Sequence, residues 1–180
     1  EKTSHNFIMP ATNYCYEPQS SKHAKAKAER VRVHFKNTVQ VANAIRGMSL
    51  HRAKNYLNNV LRRKEAIPFK GGVAQGGPGR HAQAKNWKTS QCGWPVKSVR
   101  AFLELLQNAE ANAKNRQLDL TKLVVAHSHA NHAPLIRRRT FRAHGRINAY
   151  MSNPAHLEVV LEEKSEATKA APALEEVKNE

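Results

Sequence analysis

The sequence predicts an α+β fold with a long β-hairpin, on three observations. Apolar residues recur at helical spacing in residues 50–61 and 95–116. Apolar and polar residues alternate in residues 30–35 and 157–162, as they do in half-buried strands. Residues 127–150 are strongly basic, contain no Asp or Glu, and lie between two strand-like segments. A two-stranded ribbon of that length cannot bury itself, so we expect it to fold against a partner.

The first third of the body combines a predicted strand with a short helix. Residues 30–35 place Val31, Val33 and Phe35 on one face, which predicts a half-buried strand. Thr38 is a suitable N-cap for the helix that follows, and Gly47 is suited to end it.

Two further helices are predicted from their apolar stripes. Ser49 can cap the helix over residues 50–61, and Pro95 suits the first turn of the helix over 95–116. Basic residues that fall outside the stripe of the earlier helix are Arg52, Lys54, Arg62, Arg63 and Lys64. Such a face is often plain solvated surface, but the charge of this chain favours contact with RNA.

The charge of the chain favours a phosphate-rich partner over a typical enzyme. The formal net charge is +16 and the isoelectric point is about 10.3. Residues 22–148 hold 26 Lys and Arg against five Asp and Glu, whereas residues 158–180 hold seven acids against three Lys. Cys15 and Cys92 lie far apart without a CxxC motif, which favours two free thiols, although one disulfide is possible. We expect no membrane partner, because no apolar run approaches the length of a membrane span.

Residues 66–95 form a glycine-rich insertion without an acidic residue. Its aromatic and basic candidates for RNA contact are Lys70, Arg80, Lys85, Trp87 and Lys88. Aromatic rings among cations can stack on unpaired bases. The alternative is that Trp87 and Trp94 pack back on the core. The glycine run lacks the GK[ST] of a nucleotide-binding loop.

The segment VVAHSHANH raises the alternative of a zinc hydrolase. His127 and His129 would share a face of a strand, with His132 nearby. However, Asn131 stands where the HxHxDH signature has Asp, and five arginines follow, which would repel a divalent cation. We therefore predict no catalytic residue, no metal site and no cofactor.

The basic segment itself carries the main RNA-binding prediction. Its candidates are Arg137, Arg138, Arg139, Arg142, His144 and Arg146. Guanidinium groups can neutralise phosphates and also stack on bases. Gly145 is suited to a turn or to close approach of the backbone to RNA.

Several segments together resemble one known family: VRVHFKNT, IRGMSLHRAKNYLNNVLRRKEAIPF, AFLELLQNAEANA and, most specifically, RRRTFRAHGRINAYMSNPAHLEVVLEEK. The chain resembles large-subunit ribosomal proteins of the bacterial protein-twenty-two family, in the cytoplasmic eukaryotic form (protein seventeen in the older eukaryotic naming). The resemblance implies three helices packed on a small three-stranded antiparallel sheet, with a long protruding β-hairpin and extended termini. It implies an N-terminal extension over 1–29, a body over 30–164 and a tail over 165–180.

The resemblance also implies partners and a location. These are large-subunit ribosomal RNA, neighbouring ribosomal proteins and the nascent polypeptide, in a cytoplasmic ribosome that is assembled through a nucleolar stage. The residues implied to line the peptide exit tunnel are Leu135, Ile136, Arg137, Arg138, Arg139, Thr140 and Phe141. The run GGVAQGGPGR, His129, His132 and the N-terminal segment depart from the family pattern. An RNA-binding protein outside the ribosome remains an alternative.

Overall fold

The computed structural model describes residues 13–18, 20–70, 79, 81–87, 89 and 91–164. In chain order the elements are β1 (His23–Val31), α1 (Phe35–Ile45), α2 (Leu50–Leu61), β2 (Ile67–Pro68), a 3₁₀ helix (Ala82–Trp87), β3 (Cys92–Gly93), α3 (Val96–Asn115), β4 (Leu123–His132), β5 (Arg139–Phe141), a 3₁₀ turn (Ala143–Gly145), β6 (Ile147–Ala149) and β7 (Ala155–Glu163). Strands β1, β7 and β4 form an antiparallel sheet in that order. The α+β prediction is confirmed.

The three helices cover one face of this sheet. α3 packs on β1 and β7, α1 packs on β4, and α2 packs on α3. Their predicted stripes are buried: Leu57 and Val60 of α2 and Phe102 and Leu106 of α3 are at most 1% exposed. Among the described residues, no helix combines the length and the hydropathy needed to cross a lipid bilayer.

The strand predicted over residues 30–35 was placed too late in the chain. β1 ends at Val31 after Arg30 adopts a left-handed backbone with φ of 52°, and Phe35 already belongs to α1. Phe35 instead stacks on His132 of β4, with ring centroids 3.5 Å apart. The alternation of Val31, Val33 and Phe35 therefore reflects a turn between sheet and helix. The strand also crosses the predicted boundary between residues 29 and 30.

Thr38 is not the N-cap of α1. The N-cap is His34, whose side chain makes no capping hydrogen bond. Thr38 lies one turn inside the helix, where its buried hydroxyl donates to the carbonyl oxygen of His34 at 2.9 Å. It also lies 2.9 Å from the hydroxyl oxygen of Ser98 in α3. The predicted Ser49 cap of α2 is confirmed, because its hydroxyl accepts from the N–H of Arg52.

Side chains of α3 cover the free edge of β1. The side-chain amide of Asn112 donates to the carbonyl oxygen of Lys25, and the guanidinium of Arg116 donates to that of His23, each at 2.9 Å. An uncovered edge strand offers its backbone to other chains. These two bonds therefore occupy acceptors through which another strand would pair.

One residue of β4 has no partner in β7. Val125 pairs with Leu161 and His127 pairs with Val160, so Ala126 forms a β-bulge. Before the bulge Leu123 and Val125 face the helices, and after it Ser128 and Ala130 are the buried positions. The bulge thereby turns His127 and His129 to the outer face of the sheet.

Residues 13–18 lie across this outer face. Tyr16 stacks on His127 with ring centroids 4.8 Å apart and planes 3° apart. The N–H of Cys15 donates to Glu158, and the ammonium of Lys27 donates to the carbonyl oxygen of Asn13. Leu157 and Val159 of β7 face the helices, so Glu158 between them faces the opposite side of the sheet. It is nevertheless buried there, beneath residues 13–18.

Candidate nucleic-acid interface

Residues 133–154 extend beyond the main sheet as a finger. At its base Ala133 donates to the carbonyl oxygen of Pro154, and Ile136 and Ser152 exchange two backbone hydrogen bonds of 3.1 and 3.0 Å. Further out β5 pairs with β6, joining Arg139 to Ala149 and Phe141 to Ile147. The finger is therefore a two-stranded ribbon fixed at one end by the sheet.

The tip of the finger closes through a left-handed turn. His144 and Gly145 have φ of 58° and 66°, and the N–H of Arg142 donates to the carbonyl oxygen of Arg146 at 2.8 Å. Glycine adopts this conformation without strain, whereas other residues adopt it at some cost. The predicted role of Gly145 in a turn is confirmed, and the turn presents Arg142 and Arg146 side by side.

The finger holds five arginines without an internal counter-charge. All five are exposed, and within the described ranges none forms a salt bridge with a carboxylate. The sequence has no Asp or Glu between residues 120 and 157. Only Arg138 has described side-chain partners, since its guanidinium lies 4.8 Å from the ring centroid of Tyr150 and 3.5 Å from the hydroxyl oxygen of Ser152. The other cations are available to phosphates.

The pairing register distributes the finger residues over two faces. Paired residues of a hairpin share a face, and alternate residues of one strand do as well. Phe141, Ile147 and Arg139 therefore share one face, while Thr140 and Asn148 share the other. Phe141 is 79% exposed and Ile147 is 51% exposed, although both are large apolar residues. Such exposure is expected of a surface that a partner covers.

The residues predicted to line a tunnel are contiguous on the outgoing arm. Leu135 and Ile136 lie at the base of the finger, the three consecutive arginines follow, and Thr140 and Phe141 lead into the tip. The return arm was missed by the sequence prediction. A groove is lined jointly by the outgoing and return arms, through Arg137, Arg138, Arg139, Ile147, Asn148, Ala149 and Met151. Hairpin register alone could have identified these partners across the ribbon.

The predicted basic face of α2 is partly engaged within the protein. Arg52 donates two hydrogen bonds to the carboxylate of Glu65 at 3.1 and 3.0 Å, and Lys54 pairs with Glu110 of α3. The hydrogen bonds from Lys54 and Lys114 lower the pKa of Glu110. Arg62, Arg63 and Lys64 are exposed at the C-terminal end of the helix. The freely presented charge of α2 is therefore concentrated at its end.

The aromatic residues of the insertion pack back on the core. Trp94 donates its indole N–H to the carbonyl oxygen of Glu65 at 2.8 Å, and the guanidinium of Arg63 lies 5.7 Å from its ring centroid. The ring of Trp87 contacts Tyr56 at a centroid distance of 5.6 Å and is half-buried. Lys70 is exposed. Arg80, Lys88 and the side chain of Lys85 lie outside the described residues.

The three histidines of the zinc alternative are spread along β4 and occupied by other contacts. His127 stacks under Tyr16 and His132 stacks on Phe35. Burial lowers the pKa of His127, and Arg46 lowers it further. In the part of the chain that the structure describes, no group of three His, Cys, Asp or Glu could hold a metal ion. Cys15 and Cys92 are free thiols.

Comparison with known proteins identifies the family. A family model described as ribosomal protein L22p/L17e matches residues 26–162. The chain belongs to the L22p/L17e family. Proteins called "large ribosomal subunit protein uL22" are similar to it: that of Phlebotomus papatasi is 52% identical over 159 residues, covering 88% of this chain and 84% of the relative. That of Bombyx mori is 53% identical over 155 residues, covering 86% and 82%, and that of Argas monolakensis is 51% identical over 164 residues, covering 91% and 87%.

Membership of the L22p/L17e family confirms the resemblance found in the sequence. It also settles the enzyme alternative, since this is a family of structural ribosomal proteins and not of hydrolases. The match begins at residue 26, inside β1 and ahead of the predicted boundary at residue 30. It ends at residue 162, inside β7, so it includes the whole finger, all of β4 and most of β1 and β7.

Proposed function

We propose that this chain is a structural constituent of the large ribosomal subunit, where its finger binds large-subunit ribosomal RNA and its finger tip lines the peptide exit tunnel. One observation carries the proposal: the finger presents five exposed arginines and no carboxylate. A ribbon of like charges that projects from its body is stabilised by a surrounding polyanion. The names of the relatives point to the same particle.

The body and the finger have different roles in RNA binding. The packed helices and sheet fix the direction in which the finger projects, and the arginines neutralise phosphates that surround it. The exposed end of α2, with Arg62, Arg63 and Lys64, adds a second cationic surface on the body. Two such surfaces on one rigid body can clamp separate RNA helices together. This clamping is the structural role that we assign to the protein.

The tunnel assignment rests on the length and the surface of the finger. Its outgoing arm exposes Leu135 and Ile136 before the three consecutive arginines and Phe141 after them. A surface of this mixed kind suits the boundary between RNA and a passing polypeptide. The further partners are neighbouring ribosomal proteins and the nascent chain. The location is the cytoplasmic ribosome, after a nucleolar stage of assembly.

Sedimentation through a sucrose gradient in high salt tests the proposal. We expect the tagged full-length chain to remain with large subunits, because a clamped protein is released slowly. A variant with Arg137, Arg138 and Arg139 replaced by Ala should be depleted from that fraction. The matched control replaces Lys36, Lys97 and Arg100, which are exposed on the helices. Recovery of the native chain only in light fractions would instead favour an RNA-binding protein outside the ribosome.

A further inference from the structure

A pocket opens between the 3₁₀ helix Ala82–Trp87 and two parts of the chain, the start of α2 with Arg52 and the segment after α2 with Lys64 and Glu65. Its volume is about 250 Å³, small for a drug-sized ligand but sufficient for one planar ring system. Trp87, Gln83 and Asn86 form the wall on the 3₁₀ helix, and Arg52, Lys64 and Glu65 form the opposite wall. The finger contributes nothing to it, so the pocket is separate from the surface described above.

The aromatic wall is held in place from behind. Trp87 is half-buried against Tyr56, whose hydroxyl donates to the carbonyl oxygen of Ala66 at 2.8 Å. Burial is the main cause that raises the pKa of Tyr56, so this hydroxyl stays protonated and keeps donating. Trp87 therefore packs against a ring that is itself held by burial and a hydrogen bond. A preorganised ring binds a planar ligand at a smaller cost in entropy.

Two side-chain amides stand beside this ring. Gln83 and Asn86 are three residues apart, and a 3₁₀ helix has three residues per turn, so they project from the same side. Over the ranges that the structure covers, neither side chain has a hydrogen-bond partner, and both line the pocket. Each amide offers a donor and an acceptor, as the edge of a nucleobase does.

The opposite wall supplies positive charge. The carboxylate of Glu65 accepts two hydrogen bonds from Arg52 and one from Asn59 at 3.2 Å, so its charge is neutralised within the protein. Lys64 lines the pocket, is exposed, and makes no ion pair with a described carboxylate. A cation beside an aromatic ring and free amides is the combination that binds a nucleotide through its phosphate, its π-face and its edge.

We infer that this pocket binds one unstacked nucleotide of single-stranded RNA, with the base against Trp87, its edge on Gln83 and Asn86, and its phosphate at Lys64. The inference rests on the proposed function in that it takes RNA as the partner, and it assigns a specific ligand to a pocket that shares Lys64 with the cationic end of α2. A second pocket on another side of Trp87 contains Lys70, which gives the next nucleotide of the strand a cation to follow.

Binding of two probes to the full-length chain tests the inference. The first probe is a short single-stranded oligoadenylate, and the second is the same length of abasic ribose phosphate. Replacing Gln83 and Asn86 with Ala should weaken binding of oligoadenylate about fivefold, since each lost hydrogen bond contributes modestly. Binding of the abasic probe should not change. The control replaces Gln107 and Asn108, which are exposed amides on α3.

Fluorescence gives a second readout. The chain has two tryptophans, so Trp94→Phe leaves Trp87 as the only one. We expect oligoadenylate to quench Trp87 and the abasic probe to leave it unchanged. Equal affinity of the unsubstituted chain for both probes, or quenching by an apolar peptide but not by oligoadenylate, would overturn the inference.

The finger variant separates this inference from the proposed function. Replacing Arg137, Arg138 and Arg139 should weaken both probes alike, because phosphates are common to both. If that variant binds normally while the pocket variant loses oligoadenylate, the pocket assignment stands and the finger assignment fails. The reverse result leaves the finger assignment and removes the pocket.

Discussion

The backbone N–H of Cys15 donates to both carboxylate oxygens of Glu158, at 3.0 and 3.1 Å. Glu158 is 2% exposed, so its charge is buried on the outer face of the sheet. A buried carboxylate is costly unless it is hydrogen-bonded. Residues 13–18 therefore cover this face of the sheet, and their removal would leave the carboxylate without its backbone partner.

Glu158→Ala should lower the free energy of unfolding by about 1–3 kcal/mol, the usual effect of losing a hydrogen bond to a charged group. The measurement is denaturant unfolding, and hydrogen exchange at the Cys15 amide should accelerate in parallel. Glu104→Ala, on the exposed side of α3, is the control and should change little. Unaltered exchange at Cys15 would contradict the role assigned to Glu158.

His127 should make stability depend on pH. Its folded pKa is lowered from the ordinary value of 6.5, mainly by burial, so the unfolded chain binds the proton more readily. Its contribution to stability is therefore complete above about pH 6.5 and is lost as pH falls through the lowered pKa. Tyr16, Arg46, His129 and Glu158 are the polar and charged groups that face it.

Denaturant unfolding between about pH 7 and about pH 5.5 measures this dependence. His127→Phe keeps a ring under Tyr16 but cannot titrate, so its stability should fall less over that interval. His34→Phe, at an exposed position, should retain the full dependence. A His127→Phe profile that is parallel to that of the unsubstituted chain would contradict the prediction.

The three consecutive arginines of the finger should determine the salt dependence of RNA binding. Each phosphate contact releases about 0.7–0.9 counter-ion, so replacing Arg137, Arg138 and Arg139 with Ala should reduce the slope of log affinity against log salt by up to about 2–3. Titration of an rRNA fragment at several salt concentrations measures the slope. An unchanged slope would show that these guanidinium groups do not contact phosphates.

Covering of the β1 edge should keep the free protein monomeric. Replacing Asn112 and Arg116 with Ala frees the carbonyl oxygens of Lys25 and His23, and an open strand edge promotes pairing between chains. Sedimentation velocity should show increased self-association. The control replaces Arg100 and Gln107 on the exposed side of the same helix, and it should not associate. Equal association of the two variants would argue against edge protection.

The helices were predictable because their buried apolar residues recur at regular helical spacing in the sequence. α2 and α3 carry long apolar stripes, and the structure buries them as predicted. β1 was not predictable on the same grounds. Its buried residues include Ala24 and Ala26, which alternate with Lys25 and Lys27, and alanine is too weakly apolar to mark a strand. Only packing against α3 makes these alanines core residues.

The candidate site was predictable in composition but less so in geometry. A basic segment without acidic residues is visible in the sequence, and in the structure this segment forms the finger. The engagement of Arg52 by Glu65 was not visible, because the two residues are brought together only when the loop after α2 folds back. Val160 likewise interrupts the alternation of β7 and is fully buried on the outer face. It pairs with His127, on which Tyr16 stacks, and it lies two residues from Glu158, which Cys15 contacts. Tertiary contacts of this kind leave no periodic signal.

The bulge at Ala126 determines which face of the sheet each later side chain of β4 occupies. If Ala126 were paired in a regular ladder without a bulge, His127 and His129 would turn inward and Ser128 and Ala130 outward, because side chains alternate strictly along a regular strand. The outgoing arm of the ribbon would then leave the body rotated by half a turn, with its two sides exchanged. A single unpaired residue in the body thus decides which way the arginines of the finger point.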